Sequence, residues 1–107
     1  MTEVAPARSA TAATEQALAA IARWNPSTKA MLAPLPERAR QAAAEIDRRR
    51  DRGEWCVLLA GMTMSIKDNI DMAGVETTAG SKILKGNVAN RDAFIVERLK
   101  AAGAVIV

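Results

Sequence analysis

The chain has 107 residues, enough for one small domain, and its apolar half is dominated by alanine with Trp24, Trp55 and Phe94 as its aromatics, so the core it can bury is thin. Its net charge is +3, yet nine basic residues face seven acidic ones in residues 1–54 and six face five in 55–107, an interleaving that argues against a basic surface for nucleic acid. With no histidine and with Cys56 as the single cysteine, the usual zinc ligands and any internal disulfide are excluded, no cofactor is implied, and a reducing compartment is the default.

Residues 1–10 read as a flexible tail of small residues. This start lacks a basic n-region and makes a poor signal peptide. No stretch approaches the ~20 apolar residues of a membrane span, so the expected location is cytoplasmic. Residues 11–54 read as a helical segment. A helix is expected from Thr11 or Thr14, either of which can cap it, with Ala17, Ile21 and Trp24 on one face. Asn25-Pro26 is expected to stop it, because the residue before proline is driven out of the α region. After a connector with two prolines, a second helix opens at Pro36. Ala39, Ala42, Ala43 and Ile46 form its apolar stripe, the run Arg48-Arg49-Arg50-Asp51-Arg52 its solvated end, and Gly53 its stop.

Residues 55–107 change character. Val57-Leu58-Leu59-Ala60 leads through Gly61 to a short strand over Met62–Ile66. Asp71 to Gly74 marks a turn, and Thr77-Thr78-Ala79-Gly80-Ser81 is loop chemistry. Asp92 is placed to cap a third helix with Ile95, Leu99 and Ala102 on one face and Gly103 at its end. Ala104-Val105-Ile106-Val107 is a β-branched run of the kind found in strands buried on both faces. The order strand, helix, buried strand predicts an α/β fold with a right-handed βαβ unit. In such sheets the chemistry sits beyond the carboxyl ends of the strands, which is where this chain stops. We therefore expect an α/β domain incomplete at its C-terminus, with a bare sheet face and a bare edge along Ala104–Val107 open to self-association.

The chemistry-bearing stretch is Ser65-Ile66-Lys67-Asp68-Asn69. Alternation along an extended segment puts Ser65, Lys67 and Asn69 on one side and Ile66 and Asp68 on the other. A lysine between Met64 and Ile66 at a strand end can be buried, burial favours the neutral amine, and a neutral amine is a general base. The alternative is an exposed lysine in a turn. Without histidine, serine-based acyl transfer within this chain would need a lysine as base. Ser81 beside Lys82 is not the strained G-x-S-x-G elbow. Ser65 and Lys67, two apart on a strand, diverge too far for easy proton transfer.

Leu59-Ala60-Gly61, Ser65 to Asp71, Gly74 to Ser81 and Asp92 to Val107 resemble, in that order, the start of the amidase signature family. Upstream, Trp24-Asn25-Pro26 with Ala30-Met31 is similar to the family's N-terminal element. The resemblance covers roughly residues 15 to 107. It implies hydrolysis of a carboxylic amide by a serine, a cis-serine and a lysine, with Lys67 as the catalytic lysine. The two serines belong to a later Gly/Ser-rich segment that nothing here resembles, so this chain alone is expected to be inactive. One departure is Gly61-Met62-Thr63, where the family commonly has Gly-Val-Pro; Thr63 lacks the fixed φ of proline. The implied partner is a small-molecule amide, with no metal and no membrane. Ser81-Lys82-Ile83-Leu84 is similar to the A subunit of glutamyl-tRNA(Gln) amidotransferase, a reading that would bring in tRNA. A non-catalytic interaction module or truncated relic is the third alternative.

Overall fold

A computed structural model describes residues 9–54 and 58–107; Trp55, Cys56 and Val57 lie outside it. Two helices come first. α1 spans Ala10–Thr28 and is capped by Ser9, whose Oγ accepts the Ala12 N–H at 3.0 Å. The expected caps do other work. Thr14 is fully buried on the stripe with Ala10 and Leu18, and Thr11 donates its N–H to Asp47 Oδ2 at 2.9 Å. Asp47 Oδ1 also accepts the Ala10 N–H at 2.8 Å, so a carboxylate from the second helix satisfies the orphan donors of the first. Trp24 falls off the buried stripe and is exposed, with the Arg23 guanidinium 4.9 Å from its ring centre.

Nor does Pro26 stop α1; it sits inside the helix. The carbonyls of its last turn are satisfied locally. Ser27 Oγ and Thr28 Oγ1 each donate to Trp24 O at 3.0 Å. Lys29, in the left-handed region at φ 51°, donates its N–H to Asn25 O at 2.8 Å. α2 spans Pro36–Asp51 with proline in its first turn, and Gly53 follows with φ 68° as its stop. Ala39 and Ala43 are fully buried, Ala42 and Ile46 pack beside them, and this small-residue stripe lets α1 and α2 lie close.

β1 is short, Thr63–Met64, and pairs in parallel with β2, Val105–Ile106, with Thr63 opposite Val105 and Met64 opposite Ile106. The expected strand over Met62–Ile66 is thus trimmed at both ends, because Lys67 O accepts the Ile70 N–H at 3.0 Å and turns the chain away. β2 is buried on both faces as expected. Val105 and Val107 pack with α1 and α2, while Ile106 joins Met72 and Val96. The sheet faces are therefore covered, contrary to the expectation of a bare face.

α3, Phe94–Ala101, supplies Val96. This corrects the expected face of Ile95, Leu99 and Ala102: Ile95 is 52 % exposed and Val96 0 %. Two turns of helix give too few residues for periodicity to fix the rotation, and the entry decides it. Ala93 donates its N–H to Asp71 O at 2.9 Å. Asp92 does not cap α3, whose N-cap is Ala93. Its carboxylate accepts the Ala73 N–H at 2.8 Å and Lys100 Nζ at 2.6 Å, tying the turn before the helix to the helix's last turn. Gly103, φ 90°, ends α3. Among the described residues no helix is long and apolar enough to cross a membrane.

Candidate active site

Beyond the carboxyl ends of β1 and β2 lies a cleft of about 580 Å³. Ser65, Lys67 and Asp68 enter it from the end of β1, Ile106 and Val107 from β2, and Met31, Leu32 and Leu35 from the α1–α2 connector. Its position is the one that parallel sheets reserve for ligands. Burial alternates through the segment after β1: Ser65, Lys67 and Asn69 are exposed, whereas Ile66, Asp68 and Ile70 are half-buried. Ile66 and Ile70 pack on the cluster of Met72, Val96 and Ile106, which anchors the segment where it borders the cleft. The alternation expected from sequence thus persists past the strand itself. Of the two readings of Lys67, buried at a strand end or exposed in a turn, the structure shows the exposed one: β1 ends at Met64 and the Lys67 carbonyl closes a turn with Ile70.

Asp68, adjacent to Lys67, also borders the cleft, and its carboxylate is engaged by Thr78. Its Oδ1 accepts the Thr78 N–H at 2.9 Å, its Oδ2 accepts the Thr78 hydroxyl, and its carbonyl accepts the Ala79 N–H at 2.9 Å. The Thr78 hydroxyl and amide hold the Asp68 carboxyl below its ordinary range, despite some desolvation. The loop it grips is itself braced. Glu76 bridges Val88 in antiparallel fashion and accepts the Gly86 N–H, and Asn87 Nδ2 donates to Thr77 O at 3.0 Å. Ser81 caps the 3₁₀ turn Lys82–Leu84, its Oγ accepting the Ile83 N–H at 3.3 Å. Ser81, Lys82 and Lys85 do not line the cleft; Ser65 and Lys67 do.

Asn25 is the residue whose part the sequence reading missed. Its Nδ2 donates to Met31 O at 2.9 Å and its Oδ1 accepts the Met31 N–H at 2.8 Å. This two-way clamp folds the connector so that Met31 and Leu32 wall the cleft opposite Lys67. The signal was present in Asn25-Pro26: an asparagine at a helix end offers a donor and an acceptor to the chain that follows. Among the described residues no group of acidic or sulfur side chains is arranged to hold a metal ion.

The family profile for amidases matches residues 12–107. The chain belongs to the amidase signature family. Among curated relatives, the A subunit of glutamyl-tRNA(Gln) amidotransferase from Anaeromyxobacter dehalogenans is 47% identical over 103 residues, covering 96% of this chain and 21% of the relative. The same subunit from Symbiobacterium thermophilum is 43% identical over 94 residues, covering 87% and 19%. Among solved structures, the native peptide amidase of Stenotrophomonas maltophilia superposes with a TM-score of 0.84 at 37% identity, over 94% of this chain and 21% of that one. A structure described as a vestigial protein complex that reveals the origins of an s-triazine catabolic enzyme gives 0.89 at 45% identity, over 92% and 22%. The chain thus spans about a fifth of the length of the amidase signature proteins it matches.

Proposed function

We propose that this stretch supplies the general base of a serine–lysine amide hydrolase, and that Lys67 is that base. The observation that carries the reading is the position of Lys67: it lines the cleft at the carboxyl ends of two parallel strands and is exposed there, while Ile66 beside it packs on the Met72, Val96 and Ile106 cluster and the Asp68 carboxylate is taken up by Thr78. In the reaction a neutral Lys67 amine takes a proton from a bridging serine, which takes one from the nucleophilic serine as its oxygen attacks the amide carbonyl. Collapse of the tetrahedral adduct breaks the C–N bond, and the proton returns to the leaving nitrogen. Water then cleaves the ester to release the acid. Both serines and the oxyanion donors come from polypeptide outside these 107 residues, and covering the exposed amine is part of what that polypeptide must do.

The test uses a chimera in which this chain replaces the matching fifth of the Anaeromyxobacter relative. Lys67→Ala should lower kcat by at least ~100-fold, the usual contribution of a positioned general base. Lys67→Arg should fail equally, because a guanidinium stays protonated. Lys82→Ala and Lys85→Ala, both outside the cleft, should leave the rate within a few-fold of the parent. Near-normal turnover in a folded Lys67→Ala chimera sinks the assignment.

A second reading is favoured by the relatives themselves, since the curated proteins at 43% and 47% identity are amidotransferase A subunits. Under it the amide is that of glutamine and the ammonia passes to a tRNA-bound acceptor with the help of other subunits. Ammonia release from free glutamine, against release from peptide amides, by the polypeptide in which this stretch operates separates the two.

A further inference from the structure

The two walls of the Lys67 cleft come from different parts of the chain. One is the connector into α2, with Met31, Leu32 and Leu35; the other is the segment after β1, with Ser65, Lys67 and Met72. At their base the walls share apolar packing, since Leu35, Ile66 and Ile70 all lie on the cluster of Met72, Val96 and Ile106. Apolar contact is non-directional and holds surfaces together without fixing their offset. A side chain from α2 supplies the fixed length. Arg38, in the first turn of α2 just beyond Leu35, reaches the opposite wall and donates from Nη1 to Ala73 O at 2.8 Å, directly after Met72. The guanidinium also lies against the next residue: a Cβ on Gly74 would be 3.7 Å from Nη1.

We propose that Arg38 is a positioning residue that sets the width of this cleft, and through it which length of amide brings its carbonyl to Lys67. The inference rests on the role given to Lys67. Both ends of the strut are anchored. The Ala73 peptide that Arg38 grips gives its N–H to Asp92 Oδ1 at 2.8 Å, and Asp92 Oδ2 takes Lys100 Nζ at 2.6 Å. The residue before Met72 is pinned too, Asp71 O accepting the Ala93 N–H at 2.9 Å. The far end is thus tied to α3 and its entry. The near end is fixed by α2, whose Ala39 and Ala43 are fully buried in the cluster shared with α1. An ionised donor makes a shorter and stronger hydrogen bond than a neutral one. Arg38 is half-buried, so water competes less for it.

A cleft of fixed width discriminates by fit. One methylene more or less in a pocket is worth roughly 10- to 200-fold in kcat/KM. Glutamine and asparagine, which present the same amide on side chains one methylene apart, are therefore a direct gauge of that width.

Two measurements test this. In the 107-residue chain carrying Cys56→Ser, spin labels on Leu32→Cys and Asn69→Cys report the gap between the walls by pulsed dipolar spectroscopy. Arg38→Met keeps an apolar stem and removes the donor, and should lengthen and broaden that distance. Arg38→Lys still donates and should fall between. Arg40→Met breaks the exposed Arg40–Glu15 pair on the same helix. It should leave the gap unchanged, which separates the strut from a general loosening of α2. In the chimera, Arg38→Met should change the ratio of kcat/KM for glutamine over asparagine by at least ~10-fold, and Arg38→Lys should restore part of it. An unchanged gap overturns the proposal, as does a gap that opens equally in Arg40→Met. An unchanged ratio, including an equal fall for both amides, overturns it as well. Lys67→Ala judges the base separately. Turnover lost there beside an unchanged Arg38→Met gap and ratio sinks the strut alone. Turnover kept there sinks the role of the lysine and leaves the gap to decide the strut.

Discussion

Asp68 grips Thr78 at two points, its Oδ1 on the Thr78 N–H at 2.9 Å and its Oδ2 on the Thr78 hydroxyl. The pair joins the turn after Lys67 to the loop beyond it, so the direction of Lys67 is set by a contact ten residues away in sequence.

Under the proposed role of Lys67, that contact makes Asp68 and Thr78 positioning residues. Thr78→Val keeps the shape and removes the hydroxyl; Asp68→Ala removes both acceptors. Each should lower kcat in the chimera with little change in KM, and misplacement by about 1 Å costs up to ~100-fold. Steady-state kinetics decides the matter, and an unchanged kcat in both variants would detach the loop from the chemistry.

Val96 and Ile95 offer the sharpest contrast in α3. Val96 is fully buried against Met72 and Ile106, whereas Ile95 is 52 % exposed. Val96→Ala should destabilise the chain by about 2 kcal/mol, the transfer of two methyl groups plus a cavity. Ile95→Ala should cost less than about 0.5 kcal/mol, as exposed substitutions do. Urea titrations followed by circular dichroism would show the order; the reverse order would restore the face read from periodicity.

That contrast marks where the sequence was legible. The stripe Ala39, Ala42, Ala43 and Ile46 predicts the buried face of α2 because it falls at i, i+3, i+4 and i+7 with charged residues filling the opposite face. The β-branched run Val105-Ile106-Val107 likewise predicts a strand buried on both sides. Asp92 and Thr14 are misread for a shared reason. Each has a polar side chain that local rules assign to a helix N-terminus. Asp92 is instead recruited by Ala73 and Lys100 and Thr14 by packing, while Asn25 is read only through the proline after it and its clamp on Met31 goes unseen. Lys67 was placed at the right end of the right strand by its motif. Spacing leaves both burial and exposure open for it, because burial depends on what stands across the cleft rather than on Met64 and Ile66 beside it.

Gly61 is required twice over. Its φ is 70°, and a Cβ there would lie 2.8 Å from Ala10 Cβ and 3.0 Å from Ala10 Cα. Gly61→Ala therefore meets both left-handed strain and a clash with the first turn of α1, together at least about 2 kcal/mol. Gly53, φ 68°, has nothing within 4 Å of such a Cβ, so Gly53→Ala meets only the strain of about 1 kcal/mol. Unfolding midpoints that fail to separate the two variants would show that Ala10 yields freely.

Acid should loosen the chain through three carboxylates. Desolvation pushes Asp47 and Asp92 up, but hydrogen bonds outweigh it and leave both below the ordinary 3.8. For Asp47 the bonds come from Thr11 and Ala10, for Asp92 from Lys100 and Ala73. Asp68 is lowered by Thr78. A carboxyl depressed on folding stabilises above its unfolded value, and that stabilisation is lost as pH falls through the folded one. Stability should therefore be level from pH 7 to about 5 and decline below about pH 4. Asp92→Asn should lower it by about 1 kcal/mol at pH 7 and flatten the acid limb. An acid limb unchanged in Asp92→Asn would remove Asp92 from this account.

The 107-residue chain alone should release no ammonia from amides. Serine–lysine chemistry needs a nucleophile beside the base and donors for the oxyanion, and loss of one such donor costs roughly 100- to 1000-fold. Ser81 is not placed to serve as the nucleophile, since it lies outside the cleft that Lys67 lines. Ser65 shares the cleft with Lys67 but is two residues from it, on a segment whose side chains run alongside one another rather than converge. Ammonia is measured over hours with aliphatic, aromatic and glutamine amides at high protein concentration. Turnover above buffer that vanishes in Ser65→Ala would make Ser65 and Lys67 a self-sufficient dyad and remove the need for serines from elsewhere. Turnover that survives Ser65→Ala and Ser81→Ala but vanishes in Lys67→Ala would instead point to the lysine amine itself as the nucleophile.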